Sequence, residues 1–238
     1  MQLYFIRHGQ SANNLLWDET GASLGRSHDP ELTQAGKQQA ELVARFLKTA
    51  GGVTPKNHDG QNVAGFGITH VYTSLMVRAV GTGVAIARAL ELPLIAWADA
   101  HEGGGIYLDD EATGVKRGLP GNTRADFARQ FPELLVPEWL GEAGWWNRPY
   151  ENYEEVFPRA ERFYGDLIMR HGGTEDRVVV VSHGGFYNVL LRTLFKIGRD
   201  DAWFGLNNTA ITRIDFRPNE TNWVYANRVD FLPRELIT

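Results

Sequence analysis

The chain of 238 residues predicts an α/β fold: three layers, helix on sheet on helix, with a mostly parallel central sheet. Two observations predict it. Short apolar runs of strand character alternate along the chain with longer stretches of helical period. Two of those runs, Leu3-Tyr4-Phe5-Ile6 and Val178-Val179-Val180-Val181, break off into Arg7-His8-Gly9-Gln10-Ser11 and Ser182-His183-Gly184-Gly185. In an open parallel sheet, ligands bind at such strand ends, where loop amides and helix N-termini converge. A core histidine usually sits inside a periodic apolar face, and neither His8 nor His183 does.

Taken in order, the first strand is followed by a stretch from Asn14 to residue 28 that reads as a polar loop, with Gly21 and Gly25. Gly9 is expected to let the backbone approach a ligand, and Asn14 to add a neutral donor. Thr33 is the expected N-cap of a helix carrying Ala35, Leu42, Val43, Phe46, Leu47 and Ala50, stopped by Gly51-Gly52. Residues 53–67 have no period and read as a surface insertion. Residues 68–73 alternate as a strand. Ser74 is the expected N-cap of a helix running to about Leu90, with Arg78 in its first turn. A cation is disfavoured there by the helix dipole, which points to a bound anion nearby.

Residues 93–97 read as a third strand, ending at Asp99-Ala100-His101-Glu102 and then Gly103-Gly104-Gly105. Glu102 and Asp99 compete as the carboxylate at this strand end. From 106 to 150 periodicity fails and tryptophans appear with few aliphatic partners, so a lid-like insertion is expected within one domain spanning 1–238. Lys116 and Arg117 are candidates to reach an acidic substrate tail. Residues 153–170 read as a long helix with Pro158 in its first turn. A helix at 185–195 and two strands at 210–216 and 223–225 follow the Val178-Val181 strand.

Composition narrows the classes. A formal net charge of −5 with no basic arm argues against broad nucleic-acid binding. The absence of cysteine removes disulfides, thiolate nucleophiles and cysteine metal sites. No apolar run approaches membrane-spanning length, and the chain enters a strand within two residues, so a cytoplasmic protein is expected. Oligomeric state is unreadable.

Arg7, His8, Asn14, Arg78 and His183 make a set of donors suited to a compact multivalent anion, and phosphate fits. A histidine among them can attack phosphorus and form a phosphohistidine. There is no P-loop, no paired-carboxylate metal site and no seryl nucleophile motif.

These motifs carry a resemblance. Ile6-Arg7-His8-Gly9-Gln10-Ser11 with Asn14 looks like the signature of the histidine phosphatase superfamily, in the branch that includes cofactor-dependent phosphoglycerate mutases. Asp29 to Gly36, Tyr72 to Ala79 and Val181 to Gly185 resemble the segments that follow in that family, in the same order. The resemblance implies His8 as the nucleophile, with Arg7, Asn14, Arg78 and His183 holding the phosphoryl oxygens. It implies Glu102 as the acid that protonates the leaving oxygen and then activates water, its protonation favoured by lid closure. His8 must then be neutral at the attacking nitrogen, its other nitrogen donating to a carbonyl. No metal and no cofactor are needed on this reading, because the arginines supply positive charge. The mutases of the family place a tyrosine three residues after the acid, where this chain has Gly105. A phosphomonoesterase acting on a small phosphorylated metabolite is therefore expected over mutase-type phosphotransfer, and over a non-catalytic phospho-ligand binding protein.

Overall fold

In the computed structural model, which describes residues 1–49, 51, 59–110, 112–198 and 202–238, the apolar runs become strands. β1 (Gln2–Arg7) leads through α1 (Ala12–Thr20) and α2 (Gln34–Lys48) to β2 (His70–Thr73), and α3 (Val77–Leu90) carries the chain to β3 (Leu94–Ala96). A ribbon of β4 (Tyr107–Asp109) and β5 (Lys116–Gly118) follows, then α4 (Arg124–Gln130) and β6 (Leu134–Leu135). α5 (Tyr153–His171), β7 (Arg177–Ser182), α6 (Gly184–Phe195), β8 (Ile211–Arg217) and β9 (Glu220–Arg228) come last.

Seven strands form one sheet in the order β6-β3-β2-β7-β1-β8-β9. The first five of that order run parallel, and β8 and β9 close one edge antiparallel. β7 lies between β1 and β2, with Leu3 opposite Val178 and Ile6 opposite Val181. This register brings the carboxyl ends of β1, β7 and β2 side by side. The two histidine-bearing loops, far apart in sequence, therefore open at one end of the sheet.

The unbroken apolar strands follow from burial on both faces. Tyr4, Ile6, Val179 and Val181 pack against Val43 and Leu47 of α2 and Ala79 and Val80 of α3. Leu3, Phe5, Val178 and Val180 face Val156 and Phe163 of α5 and Phe186 and Leu190 of α6. That is the three-layer arrangement the alternation predicts.

Local chemistry sets the helix boundaries, and it corrects several readings. Thr33 caps α2 as expected, its Oγ1 accepting from Gly36 N–H. α2 ends at Lys48; Ala50, Gly52 and residues 53–58 of the expected insertion lie outside the described residues. The described remainder of that stretch is anchored: Phe66 is buried against Tyr4 and Phe46, and Asn62 Nδ2 donates to the Tyr4 hydroxyl at 2.7 Å. The polar stretch after His8 is a helix, α1, rather than a loop. Ser11 and Asn14 form its capping box, and Gly21 closes it at a positive φ of 66°. None of its residues is buried, so it carries no apolar stripe for a periodicity reading to find.

The N-cap of α3 is Met76, not Ser74; Asp29 caps that helix from outside, accepting from Val77 N–H at 3.1 Å. Pro158 falls in the second turn of α5 rather than the first. Between 106 and 150 the chain is anchored to the domain by a few buried side chains. β6 extends the central sheet, and Ile106, Phe127, Leu140, Trp145 and Trp146 are buried in the α2–α3 core.

Candidate active site

Three helices, α1, α3 and α6, begin immediately beyond the carboxyl ends of β1, β2 and β7. Their N-termini bring the positive ends of three helix dipoles to one place. A cavity of about 380 Å³ opens there, lined by Arg7, His8, Asn14, Arg78, Glu102 and Gly185 among others. Gly9 seats the first loop. A Cβ on it would stand 2.4 Å from the Gly36 carbonyl oxygen, and one on Gly36 would stand 2.1 Å from that of Gln10. Gly9 thus permits the loop to pack on the start of α2, rather than permitting a ligand to approach the backbone.

His8 is buried, and its tautomer is set by its partners. Nδ1 lies 2.7 Å from the Gly9 carbonyl oxygen, which only accepts, so Nδ1 carries the proton. Nε2 accepts from Arg78 Nε at 3.1 Å and presents its lone pair on the arginine side. Burial, with Arg78 and Arg7 alongside, holds His8 well below the ordinary imidazole value, so the ring is neutral around pH 7. The expectation drawn from the resemblance, a neutral ring donating to a carbonyl, matches this geometry.

His183 lies behind it, the two rings 5.0 Å apart at their centroids. Ser74 accepts from Met76 N–H and sits 2.7 Å from His183 Nε2. Donation from the Ser74 hydroxyl to Nε2 leaves the proton on Nδ1, a buried atom with no hydrogen-bond partner among the described residues. His183 is likewise held well below its ordinary value, by burial first and then by Arg78. Ser74, expected as a helix cap, is instead the group that orients this ring.

Arg7 spends one terminal nitrogen on the Leu206 carbonyl oxygen, and its buried Nε has no partner among the described residues. Arg78 is fixed by Met76 Sδ, by His8 and by Asp29, whose Oδ1 is 3.6 Å from Nη1. Burial pushes the Asp29 carboxyl up from 3.8 to about 7 in spite of Arg78 beside it. Buried donors left unmatched are costly and mark a place where an acceptor belongs. Asn14 Oδ1 is taken by Ser11 and, at 3.4 Å, by Asn208, which leaves its amide N–H groups for a ligand.

Glu102 projects from the strand-end loop onto the start of α6. Its carboxylate accepts from Gly103 N–H at 2.9 Å, Gly185 N–H at 3.0 Å and Phe186 N–H at 2.8 Å. This amide seat is what positions the carboxylate. Gly185 is required by it, since a Cβ there would stand 2.5 Å from Glu102 Oε1. Asp99, the competing carboxylate, lies outside the cavity and pairs with Arg162 at 3.5 Å.

Lys116 and Arg117 do not line this cavity either. Lys116 is tied to Asp109 at 2.7 Å on the outer ribbon. The rim comes instead from residues that sequence reasoning passed over: Asn13, Trp17 and Arg26 from α1 and the turn after it, and Asn188, Trp203 and Phe204 on the opposite side. Arg26 stacks over the Tyr107 ring at 4.1 Å, the contact by which the 106–150 stretch reaches the rim. A helix with no buried face and single exposed tryptophans leave no pattern that could have announced this.

Fold and site together define a class: a three-layer α/β protein whose parallel strands end on an arginine-lined cavity with a neutral imidazole at its floor. The family model of the histidine phosphatase superfamily (branch 1) matches residues 3–229, and the chain belongs to that family. Among curated relatives it is similar to a protein of Hydrogenobacter thermophilus named "Putative phosphoserine phosphatase 2", 26% identical over 237 residues, covering 96% of each chain. It is equally similar to one of Yersinia pestis named "Probable phosphoglycerate mutase", 26% identical over 230 residues and covering 96% of this chain and 90% of that one. Among solved structures it shares its fold with the phosphoserine phosphatase of Entamoeba histolytica in complex with 3-phosphoglyceric acid. The TM-score is 0.59 at 20% identity, with 98% of this chain and 99% of that chain covered.

Proposed function

We propose that this chain, a single domain over 1–238, is a metal-independent phosphomonoesterase that acts through a phosphohistidine on a small phosphorylated metabolite. The observation that carries the reading is the His8 ring, neutral and with its Nε2 lone pair aimed among Arg7 and Arg78. A phosphoryl group entering the cavity takes over Arg78 from that nitrogen. Nε2 then attacks phosphorus in line while the P–O bond to the leaving alcohol breaks. Arg7, Arg78, Asn14 and His183 Nδ1–H spread over the equatorial oxygens, where charge builds in the transition state. Glu102 hands the leaving oxygen a proton that arrives with the monoanionic ester. In the second step it takes a proton from the water that cleaves the N–P bond, returning His8 to its neutral state.

Hydrolysis is favoured over mutase-type transfer by Gly105. It stands at a positive φ of 70°, and a Cβ on it would meet the Trp146 ring at 2.2 Å. The tyrosine that the mutases carry at this position therefore has no room. No helix among the described residues is long and apolar enough to cross a membrane, and the cytoplasm, where small phosphate esters are made, suits the substrate class.

The purified protein is expected to hydrolyse p-nitrophenyl phosphate in the presence of a chelator, and His8→Ala to lose at least about 10⁴-fold in kcat. Full activity in that variant, or loss of wild-type activity in chelator, overturns the reading. Phosphoglycerate interconversion outrunning hydrolysis overturns the preference for a phosphatase.

A further inference from the structure

At the opposite end of the sheet from the cavity, a second group of imidazoles is assembled around a carboxylate instead of around arginines. His70 is the first residue of β2, His171 the last of α5, and Asp176 immediately precedes β7. One ligand atom from each lies within 4.8 Å of the others. His171 Nδ1 is 2.8 Å from Asp176 Oδ2, and His70 Nδ1 is 4.0 Å from Asp176 Oδ1. The His70 and His171 rings meet edge to face, 4.6 Å between centroids. His70 and Ser74 stand four steps apart along the strand, about 13 Å at the usual rise, so the group is distinct from the active site.

We propose that His70, His171 and Asp176 form a binding site for a divalent transition-metal ion of the zinc type. Two imidazoles and a carboxylate are the donor set that borderline-soft ions prefer, and magnesium does not. Ligand atoms around a tetrahedral zinc stand about 3.4 Å apart, so the group, its ligand atoms now within 4.8 Å of one another, would have to draw together. Partly exposed His70 is the residue placed to move.

The surroundings permit each ligand its role. His171 is buried, with Nε2 3.1 Å from the Tyr72 hydroxyl. That hydroxyl accepts as well as donates, so the His171 proton can shift to Nε2 and free Nδ1 for the ion, with Tyr72 holding the ring. Thr69 Oγ1 lies 2.8 Å from His70 Nδ1 but also 3.2 Å from the Arg177 carbonyl oxygen, an alternative acceptor that releases the His70 lone pair. Thr174 Oγ1 accepts from Asp176 N–H at 3.1 Å and fixes the backbone of that ligand. The partly exposed His70 and Asp176 side leaves the remaining coordination positions to water.

An ion here would tie the start of β2 to the turn joining α5 and β7, so its signature is stability rather than catalysis. The test is titration of the full chain with Zn²⁺ and Co²⁺, followed by calorimetry, thermal melting and the visible spectrum of Co²⁺. Binding of one ion is expected, with a Tm that rises with ion concentration and a Co²⁺ spectrum of nitrogen and oxygen ligation. Mg²⁺ should have no such effect. His70→Ala and Asp176→Asn should each weaken binding about tenfold or more while hydrolysing p-nitrophenyl phosphate at the wild-type rate, which shows that both variants fold. No saturable Zn²⁺ binding, or binding undiminished in the two folded variants, overturns the proposal.

Discussion

The molecule holds two pairs of imidazoles at opposite ends of one sheet, and their neighbours give them opposite chemistry. His8 and His183 face Arg7 and Arg78 across helix N-termini, so both rings stay neutral in a field that attracts an anion. His70 and His171 face Asp176 at strand beginnings, where no helix starts, and the field there attracts a cation. The ring itself decides neither outcome. What differs is the end of the β–α unit on which it sits: parallel strands deliver helix N-termini at their carboxyl ends and helix C-termini at the other.

Removing the positive charge at the first pair should break the contrast most severely. Arg78→Ala deletes the guanidinium that touches His8 and neutralises the transferred group, and the loss of a preorganised donor of this kind costs about 10²–10³ in kcat. Steady-state hydrolysis of p-nitrophenyl phosphate measures it; a change under tenfold would place the charge stabilisation elsewhere.

Gly185→Ala asks a finer question. The added Cβ, 2.5 Å from Glu102 Oε1, displaces the carboxylate from its amide seat and leaves the arginines in place. Esters of alkyl alcohols, which need a proton on the leaving oxygen, should slow about 10²-fold. p-Nitrophenyl phosphate, with its good leaving group, should suffer less in the cleavage step. Equal losses on both, read from single-turnover rates, would mean that Glu102 takes no part in protonating the leaving group.

These two variants also mark how far the sequence reaches. His8, His183, Arg7 and Glu102 were legible because each follows an apolar strand, and the strand itself announces the place where chemistry collects. Arg78 was legible as a cation at the wrong end of a helix. The rim was not: α1 buries none of its residues, so neither Trp17 nor Arg26 belongs to a periodic pattern. Asp29, which holds Arg78 and caps α3 across 48 positions of sequence, was hidden for a different reason, since trans caps have no local spacing. The packing within 106–150 was not legible either, because its buried aromatic residues meet distant elements and follow no period of their own.

Asp29→Asn asks about stability rather than rate, and its effect has a sign. Burial raises the folded carboxyl to about 7 from 3.8, so the native state holds a proton that the unfolded chain releases. The associated stability is present below about pH 4 and is lost as pH rises through about 7, an upper bound of about 4 kcal/mol. Asparagine keeps the Oδ1 acceptor for Val77 N–H without the charge. Its Tm relative to wild type should therefore increase between pH 4 and 7 and then level off. A difference that does not change with pH would show Asp29 to be ionised throughout, as a simple partner of Arg78.

The central claim is that the imidazole at position 8 carries the phosphoryl group between substrate and water. Its most direct measurement is rapid mixing with a radiolabelled phosphate ester, quenching in alkali, where phosphohistidine survives, and mapping of the labelled peptide. The account predicts label on the peptide containing His8, formed and consumed at rates consistent with turnover. Label on another residue, or turnover with no labelled protein under conditions that trap a known phosphohistidine, would contradict it.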